Sequence, residues 1–281
     1  MTDYARLAQL SLSVREDIVR MTIGGGCFLG ASLSCTDLIV FLYSCILNID
    51  PSSTRSPDRD FFLLSKGHDV PALYATLAEL GFFSRERLAN HLNPRDSLYW
   101  HPNTNIPGVE FHSGSLGHLL SVAIGIAIDT KLQGAKNKIY VLLGDGELNE
   151  GSVWEACLTA RALQLENLVV IIDRNEFQAN MRTEELIPLE PLESKFDSFG
   201  WNVDSFDGHS FPEMDRAFKE IRIARPTALI AHTVRGKGIP SLQRNVKRWF
   251  VKCTQEEAQQ LMDELHGGSS AALNGIGLVA R

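Results

Sequence analysis

The chain has few cysteines, and their spacing supports neither a metal framework nor a disulfide ladder. Cys27, Cys35, Cys45, Cys157 and Cys253 make an odd count with no C-x-x-C pair, so reduced thiols in a cytoplasmic enzyme are the simple expectation. Long apolar runs are also missing. The longest stretch, 119–128, is broken by Ser121 and falls short of the roughly 18 residues a bilayer span requires. The first twenty residues carry Arg6, Arg15, Glu16, Asp17 and Arg20, which leaves no signal-peptide core. Positive charge is in deficit: 27 Lys+Arg against 34 Asp+Glu gives a net charge of −7, which argues against a phosphate-backbone binder. Neither a nucleic-acid nor a membrane partner is expected.

What is present reads as one α/β domain over residues 1–281, with 44% hydrophobic residues to fill a core. Leu7, Leu10, Val14, Ile18 and Met21 recur at helical spacing, and Gly24-Gly25-Gly26 ends that helix. A second helix is expected from about Ser34 to Leu47. Phe61-Phe62-Leu63-Leu64 reads as a short buried strand, 93–110 as an ordered loop, and 116–132 as a helix apolar nearly all round. Two β-branched runs, 139–143 and 168–172, flank a helix over 152–165. Uninterrupted apolar strands of this kind fit a mainly parallel central sheet covered on both faces by helices. A helix near 212–224 and a strand over 228–234 follow. The tail after about residue 267 is expected to be loose or partner-bound.

The chemistry concentrates after the strands. Gly144-Asp145-Gly146 follows the 139–143 strand, at the carboxyl end where open α/β sheets bind ligands. Its glycine spacing fails G-x-G-x-x-G. A carboxylate facing a pyrophosphate requires a cation between them, and Mg²⁺ takes such oxygen ligands. Asn175 supplies a second oxygen at the next strand tip, 30 residues after Asp145. Asp-Gly is also ordinary turn chemistry and Asn an ordinary loop residue; it is the pair on successive strands that points to a metal–diphosphate site.

The run from Gly144 to Ala156, with Asn175 downstream, resembles the thiamine diphosphate motif of transketolases. Ser65-Lys66-Gly67-His68, His101-Pro102, Ser113-Gly114-Ser115-Leu116-Gly117 and Val234-Arg235-Gly236-Lys237-Gly238 resemble that family's other motifs, in its order. The resemblance spans roughly 7–250 and matches only the amino-terminal, diphosphate-binding half of a full-length transketolase. It implies a thiamine diphosphate-binding fold with thiamine diphosphate and Mg²⁺ as cofactors. Asp145, Asn175 and the Phe177 carbonyl would be the metal ligands. His68, Gly114, Ser115, Leu116, Asp145, Gly146, Asn175 and Arg235 would contact the cofactor, and His68 and His101 would be the catalytic groups. Arg235 stands where the family usually has lysine. Glu150 reads as an interface or network carboxylate rather than a catalytic one.

The resemblance further implies transfer of a two-carbon ketol or acyl unit from a ketose phosphate or 2-oxo acid. The acceptor could be an aldose phosphate, a lipoyl group or a carrier-protein thiol. It also implies a second subunit bearing the pyrimidine-binding domain and its catalytic glutamate, most simply as an α₂β₂ heterotetramer. Two departures stand out: Phe28 and Phe250 occupy positions where the family commonly has histidine. Losing those donors is expected to weaken sugar recognition, and leaves open a 2-oxo acid decarboxylase component or a degenerate cofactor-binding subunit. His112, His118, His209 and His232 are expected to be satisfied structural histidines, and Arg244, Lys247, Arg248 and Lys252 a solvated basic run.

Overall fold

The computed structural model describes residues 2–221, 224–243 and 248–269. Arg244 and Lys247 of the basic run, and the tail from residue 270, lie outside the described residues. In chain order the elements are α1 (Tyr4–Gly24), α2 (Leu29–Phe41), β1 (Phe61–Leu64), α3 (Val70–Glu79), α4 (Leu119–Leu132), β2 (Ile139–Gly144), α5 (Gly151–Ala162) and β3 (Leu168–Arg174). A two-residue hairpin follows, β4 (Phe177–Gln178) and β5 (Met181–Arg182), then α6 (Thr183–Leu186), α7 (Leu192–Ser198), β6 (Asn202–Asp207), α8 (Phe211–Lys219), β7 (Thr227–His232), α9 (Pro240–Gln243) and α10 (Gln255–Leu265).

Five strands form one parallel sheet in the order β1-β2-β3-β7-β6. Alternation along the buried strands divides the core in two. Tyr140, Leu142, Val169, Ile171 and Leu229 face α1, α2, α3, α8 and α10. Ile139, Val141, Leu143, Val170, Ile172 and Ile230 face α4, α5 and α7. Every residue of β3 is buried, which is why the run lacks a polar alternate. The crossovers through α4 and α5 cover one face, and the α8 crossover covers the other. The order therefore reverses between β3 and β7, and at such a switch point a crevice opens beyond the strands' carboxyl ends.

The helices follow their patterns with three corrections. α2 starts at Leu29 rather than near Ser34 and continues into a π-helical turn, Leu42–Ile46. The continuous helical stretch Leu29–Ile46 is long and apolar enough by composition to cross a membrane, yet 78% of it is buried inside the chain's own core. α4 begins at Leu119, because Leu116-Gly117-His118 forms a turn. It is also not buried all round: Ser121, Gly125 and Asp129 are exposed and Leu132 is 83% exposed. Sequence periodicity misses β6, whose pattern is mostly half-buried polar. It also misses α10, which carries a full capping box: Thr254 accepts from Glu257 N–H while the Glu257 carboxylate accepts from Thr254 N–H.

Candidate functional site

All five sheet strands run the same way, so the motifs that follow β1, β2, β3 and β7 meet at one edge. Asp145 is 1% exposed. Its carboxylate accepts from Gly146 N–H at 2.8 Å, Glu176 N–H at 2.6 Å and Arg174 Nη1 at 3.1 Å. Burial and the nearby Asp173 charge push its pKa up to about 7, against the pull of Arg174. Arg174 is itself buried and also grips Thr183, Glu184 and Glu190. Asn175 Nδ2 donates to Asp173 at 3.0 Å, while Oδ1 accepts from Phe177 N–H at 3.0 Å. A carboxylate can only accept and a backbone N–H can only donate, so the orientation of this carboxamide is fixed.

Asp173 is fully buried and ionised. Burial alone would raise its pKa, but the Lys66 ammonium and the hydroxyls of Ser34 and Thr233 hold it below the usual carboxylate range. Lys66 pairs with Asp173 and, at 2.8 Å, with Asp69. Cys35, Asp69 and Asp173 bring three possible ligand atoms within 4.8 Å. Because Lys66 already pairs with both carboxylates, this cluster is an ion-pair network rather than a metal centre.

Glycines bring the other motifs together. A Cβ at Gly67 would lie 2.8 Å from Ser113 Oγ, and one at Gly114 (φ +133°) would lie 2.4 Å from His101 Cδ2. The Ser65–His68, His101 and Ser113–Gly117 segments can therefore close on one another only because neither position carries a side chain. Glu147 is a buried strap: it accepts from Ser65 Oγ at 2.5 Å, Gly117 N–H at 2.9 Å and Gly144 N–H at 3.2 Å. Burial lowers the pKa of both His68 and His101, so each is a neutral imidazole at pH 7, with one donor and one acceptor nitrogen.

Phe28 and Trp249 pack against the His68 ring, and Trp100 and Phe250 pack against Phe28. Phe28 lies 5.3 Å from the His68 ring, 4.8 Å from Trp249, 5.3 Å from Phe250 and 6.5 Å from Trp100 between centroids. A two-bond bridge between Cys27 and Val251, both bonds 2.9 Å, places Phe28 beside Phe250. The two residues that depart from the family pattern thus form one cluster, although they are far apart in sequence.

Arg235 closes the other side. It is 6% exposed, stacks 5.2 Å over the Phe177 ring, and donates to the Ala179 and Arg248 carbonyls. Among the described residues it has no carboxylate partner in an ion pair, and burial lowers its pKa.

His68, Leu116, Asp145, Gly146, Asn175, Phe177 and Arg235 line one cavity of about 220 Å³, together with Lys66, Asp69, Glu147, Gln178 and Trp249. His101, Gly114 and Ser115 do not line it. Sequence reasoning overlooked Lys66, Asp69, Asp173 and Glu147; the signal was charge at the tip of a buried strand, a costly place unless paired. Of the four histidines expected to be structural, only His209 has a buried side chain, while His112, His118 and His232 are exposed. The residues fit the implied groups: a carboxylate and an oriented carboxamide oxygen suit a hard divalent ion, and a buried guanidinium that no carboxylate contacts directly among the described residues suits a diphosphate.

The transketolase thiamine diphosphate-binding domain model matches residues 10–266. The chain is 36% identical to an apulose-4-phosphate transketolase subunit of Actinobacillus succinogenes, covering 93% of this chain and 96% of that one. It is 36% identical to the 6-deoxy-6-sulfo-D-fructose transketolase subunit SqwG of Clostridium sp., covering 89% and 91%. The crystal structure of transketolase from Campylobacter jejuni superposes with a TM-score of 0.81 at 28% identity, over 94% of this chain. The chain spans only 42% of that enzyme's length. This protein belongs to the transketolase family, through its thiamine diphosphate-binding domain. In aligned extent it corresponds to the family's separate subunits.

Proposed function

We propose that the chain is the diphosphate-binding subunit of a two-component, thiamine diphosphate- and Mg²⁺-dependent transketolase-like transferase. The observation that carries this reading is the shared cavity, where a buried guanidinium with no ion-pair partner among the described residues lies in the same lining as Asp145 and Asn175. Asp145, Asn175 and the Phe177 carbonyl would hold Mg²⁺. Arg235 would take the diphosphate, with Gly146 allowing close backbone approach and Leu116 giving apolar contact. When bound, thiamine diphosphate supplies the carbon nucleophile and electron sink for C–C cleavage. His68 and His101, neutral at pH 7, would orient the donor carbonyl and move protons at their ring nitrogens. Gly114 and Ser115 would support the cofactor from the loop that backs His101. The donor would be a ketose phosphate or 2-oxo acid, the latter favoured by the aromatic cluster centred on Phe28 beside His68; that cluster also supports, as a second reading, a 2-oxo acid decarboxylase component. Cytoplasmic location accords with the free state of all five cysteines.

A cavity of about 220 Å³ is smaller than the roughly 300–1,000 Å³ of sites that enclose a ligand. A partner carrying the pyrimidine-binding domain and catalytic glutamate would complete it, in an α₂β₂ assembly. The test is turnover of a panel of ketose phosphates and 2-oxo acids by the chain with and without its partner, with Mg²⁺ and thiamine diphosphate. Dependence on the partner supports the two-component reading, and sustained turnover by the chain alone overturns it.

A further inference from the structure

β6 ends at Asp207-Gly208-His209, on the turn that leads into α8. The His209 side chain is 6% exposed, with Nδ1 2.7 Å from Asp37 Oδ2. On its far side, Val234 N–H donates to Nε2 at 2.8 Å. A backbone N–H cannot accept, so Nε2 keeps its lone pair and the ring proton sits on Nδ1, directed at Asp37. Asp37 is equipped to receive it. Burial would raise its pKa, but Arg15 of α1, bonded at 2.9 and 2.7 Å, and His209 hold it well below the usual carboxylate range. The relay thus runs Arg15, Asp37, His209, Val234 N–H, from α1 through α2 to the loop after β7.

That loop carries Arg235. Gly236 N–H donates to the Gly30 carbonyl at 2.8 Å, and a Cβ at Gly30 would lie 3.0 Å from Arg235 Nε. The guanidinium side chain therefore lies along a glycine backbone, with the loop held on one side by Gly30 and on the other by His209. The histidine itself is fixed in place: Gly208 N–H donates to the His232 carbonyl at 2.7 Å, and a Cβ at Gly208 would lie 2.5 Å from Thr233 Cγ2. Val234 is 42% exposed, so without His209 its N–H would turn to water and the loop would lose that anchor.

We propose that His209 is a positioning residue, whose Nε2 pins Val234 N–H and so fixes the backbone from which Arg235 reaches into the cavity. The proposal rests on the reading of Arg235 as the diphosphate ligand. Two isosteres divide the imidazole's contacts. His209→Asn places an amide near Nδ1 and nothing at Nε2, whereas His209→Gln can bring a carbonyl to the Nε2 position.

The measurement is the affinity of the full chain for thiamine diphosphate with Mg²⁺, by calorimetry, alongside the melting temperature of each variant. His209→Asn is expected to weaken binding about five- to tenfold, the worth of one hydrogen bond, and His209→Gln to restore most of it. Arg235→Gln should weaken binding at least as much, and adding His209→Asn to it should cost little more. Equal losses in the Asn and Gln variants would mean general packing and overturn the proposal. So would wild-type affinity in His209→Asn while Arg235→Gln binds weakly, an outcome that leaves the diphosphate reading standing. Wild-type affinity in Arg235→Gln would remove that reading and the proposal together. If His209→Asn fails to fold, imidazole ¹⁵N shifts of the wild-type chain decide: the Nδ1–H tautomer supports the proposal and the Nε2–H tautomer overturns it.

Discussion

At the carboxyl ends of β1, β2 and β3, Lys66, Asp145, Asp173 and Arg174 are buried ionisable groups, whereas the wall beside His68 is built from Phe28 and Trp249, with Trp100 and Phe250 packed on Phe28. The charged side is expensive to assemble. Each ion needs a partner, and Asp173 alone takes Lys66, Ser34, Thr233 and Asn175. The aromatic side makes no such demand, since its rings pack edge to face and against one another. A protein that carries a costly polar network beside an apolar wall holds two tasks apart. The charged groups sit at the ends of sheet strands, which fix them, while the rings sit on loops, where one side chain can be exchanged without unpairing a buried ion.

Removing the central carboxylate is the most severe test of the charged side. Asp145→Ala should abolish measurable Mg²⁺–thiamine diphosphate binding while the chain stays folded, because a carboxyl pushed up to about 7 by burial is not a stabilising charge. Calorimetric titration and a thermal melt of the same sample decide it; wild-type affinity would remove Asp145 from the metal site.

Next in size is Gly114→Ala. Its φ of +133° and a Cβ placed 2.4 Å from His101 predict a loss of about 1–3 kcal/mol and a displaced imidazole. Activity should fall further than the melting temperature alone would suggest. Equal stability and activity in the variant would show that the Gly114–His101 approach is not needed.

On the aromatic side, converting both Phe28 and Phe250 to His should raise kcat/KM for sugar phosphates relative to 2-oxo acids by at least about tenfold, as restored hydroxyl-binding groups do. If the wild-type enzyme already uses sugar phosphates as well as the double variant, the rings are not what limits them.

The smallest effect, counted per pH unit, lies behind the rings. Gly24 and Gly25 pack on His91 and Leu92, and Gly26 on Phe250. Burial pushes the His91 pKa down to about 4. An unfolded histidine takes up its proton near pH 6.5, so the unfolded state binds more protons as pH falls below that value. Stability should then drop by at most about 1.4 kcal/mol per pH unit down to about pH 4. Denaturant midpoints across pH 4–7 measure the slope, and His91→Leu should flatten it. An unchanged slope would place the acid sensitivity elsewhere.

Much of this was legible without coordinates. β1 runs over the expected 61–64, and β2 and β3 begin where their β-branched runs begin. Asp145 and Asn175 were legible as strand-tip oxygens because buried parallel strands announce their ends by an abrupt change of polarity. β6 was not legible, since an edge strand with half-buried polar residues lacks the pattern that burial imposes. The start of α4 was misplaced because Leu116 is apolar yet belongs to a turn in which Gly117 has φ +81°, a backbone state that hydropathy does not encode.

By itself the sequence determined the strand cores, the glycine-bounded motifs and the placement of oxygen donors after strands, because these depend on local periodicity and on which side chains can enter a tight turn. Tertiary structure alone decided that Phe28 meets Phe250, that Lys66 neutralises Asp173 across 107 residues, and that His209 reaches Val234. Those pairings arise from the strand order and from the reversal between β3 and β7. Once five parallel strands align, chemistry scattered along the chain must share one edge, where burial makes an unpaired charge such as Arg235 costly and most of its neighbours are paired.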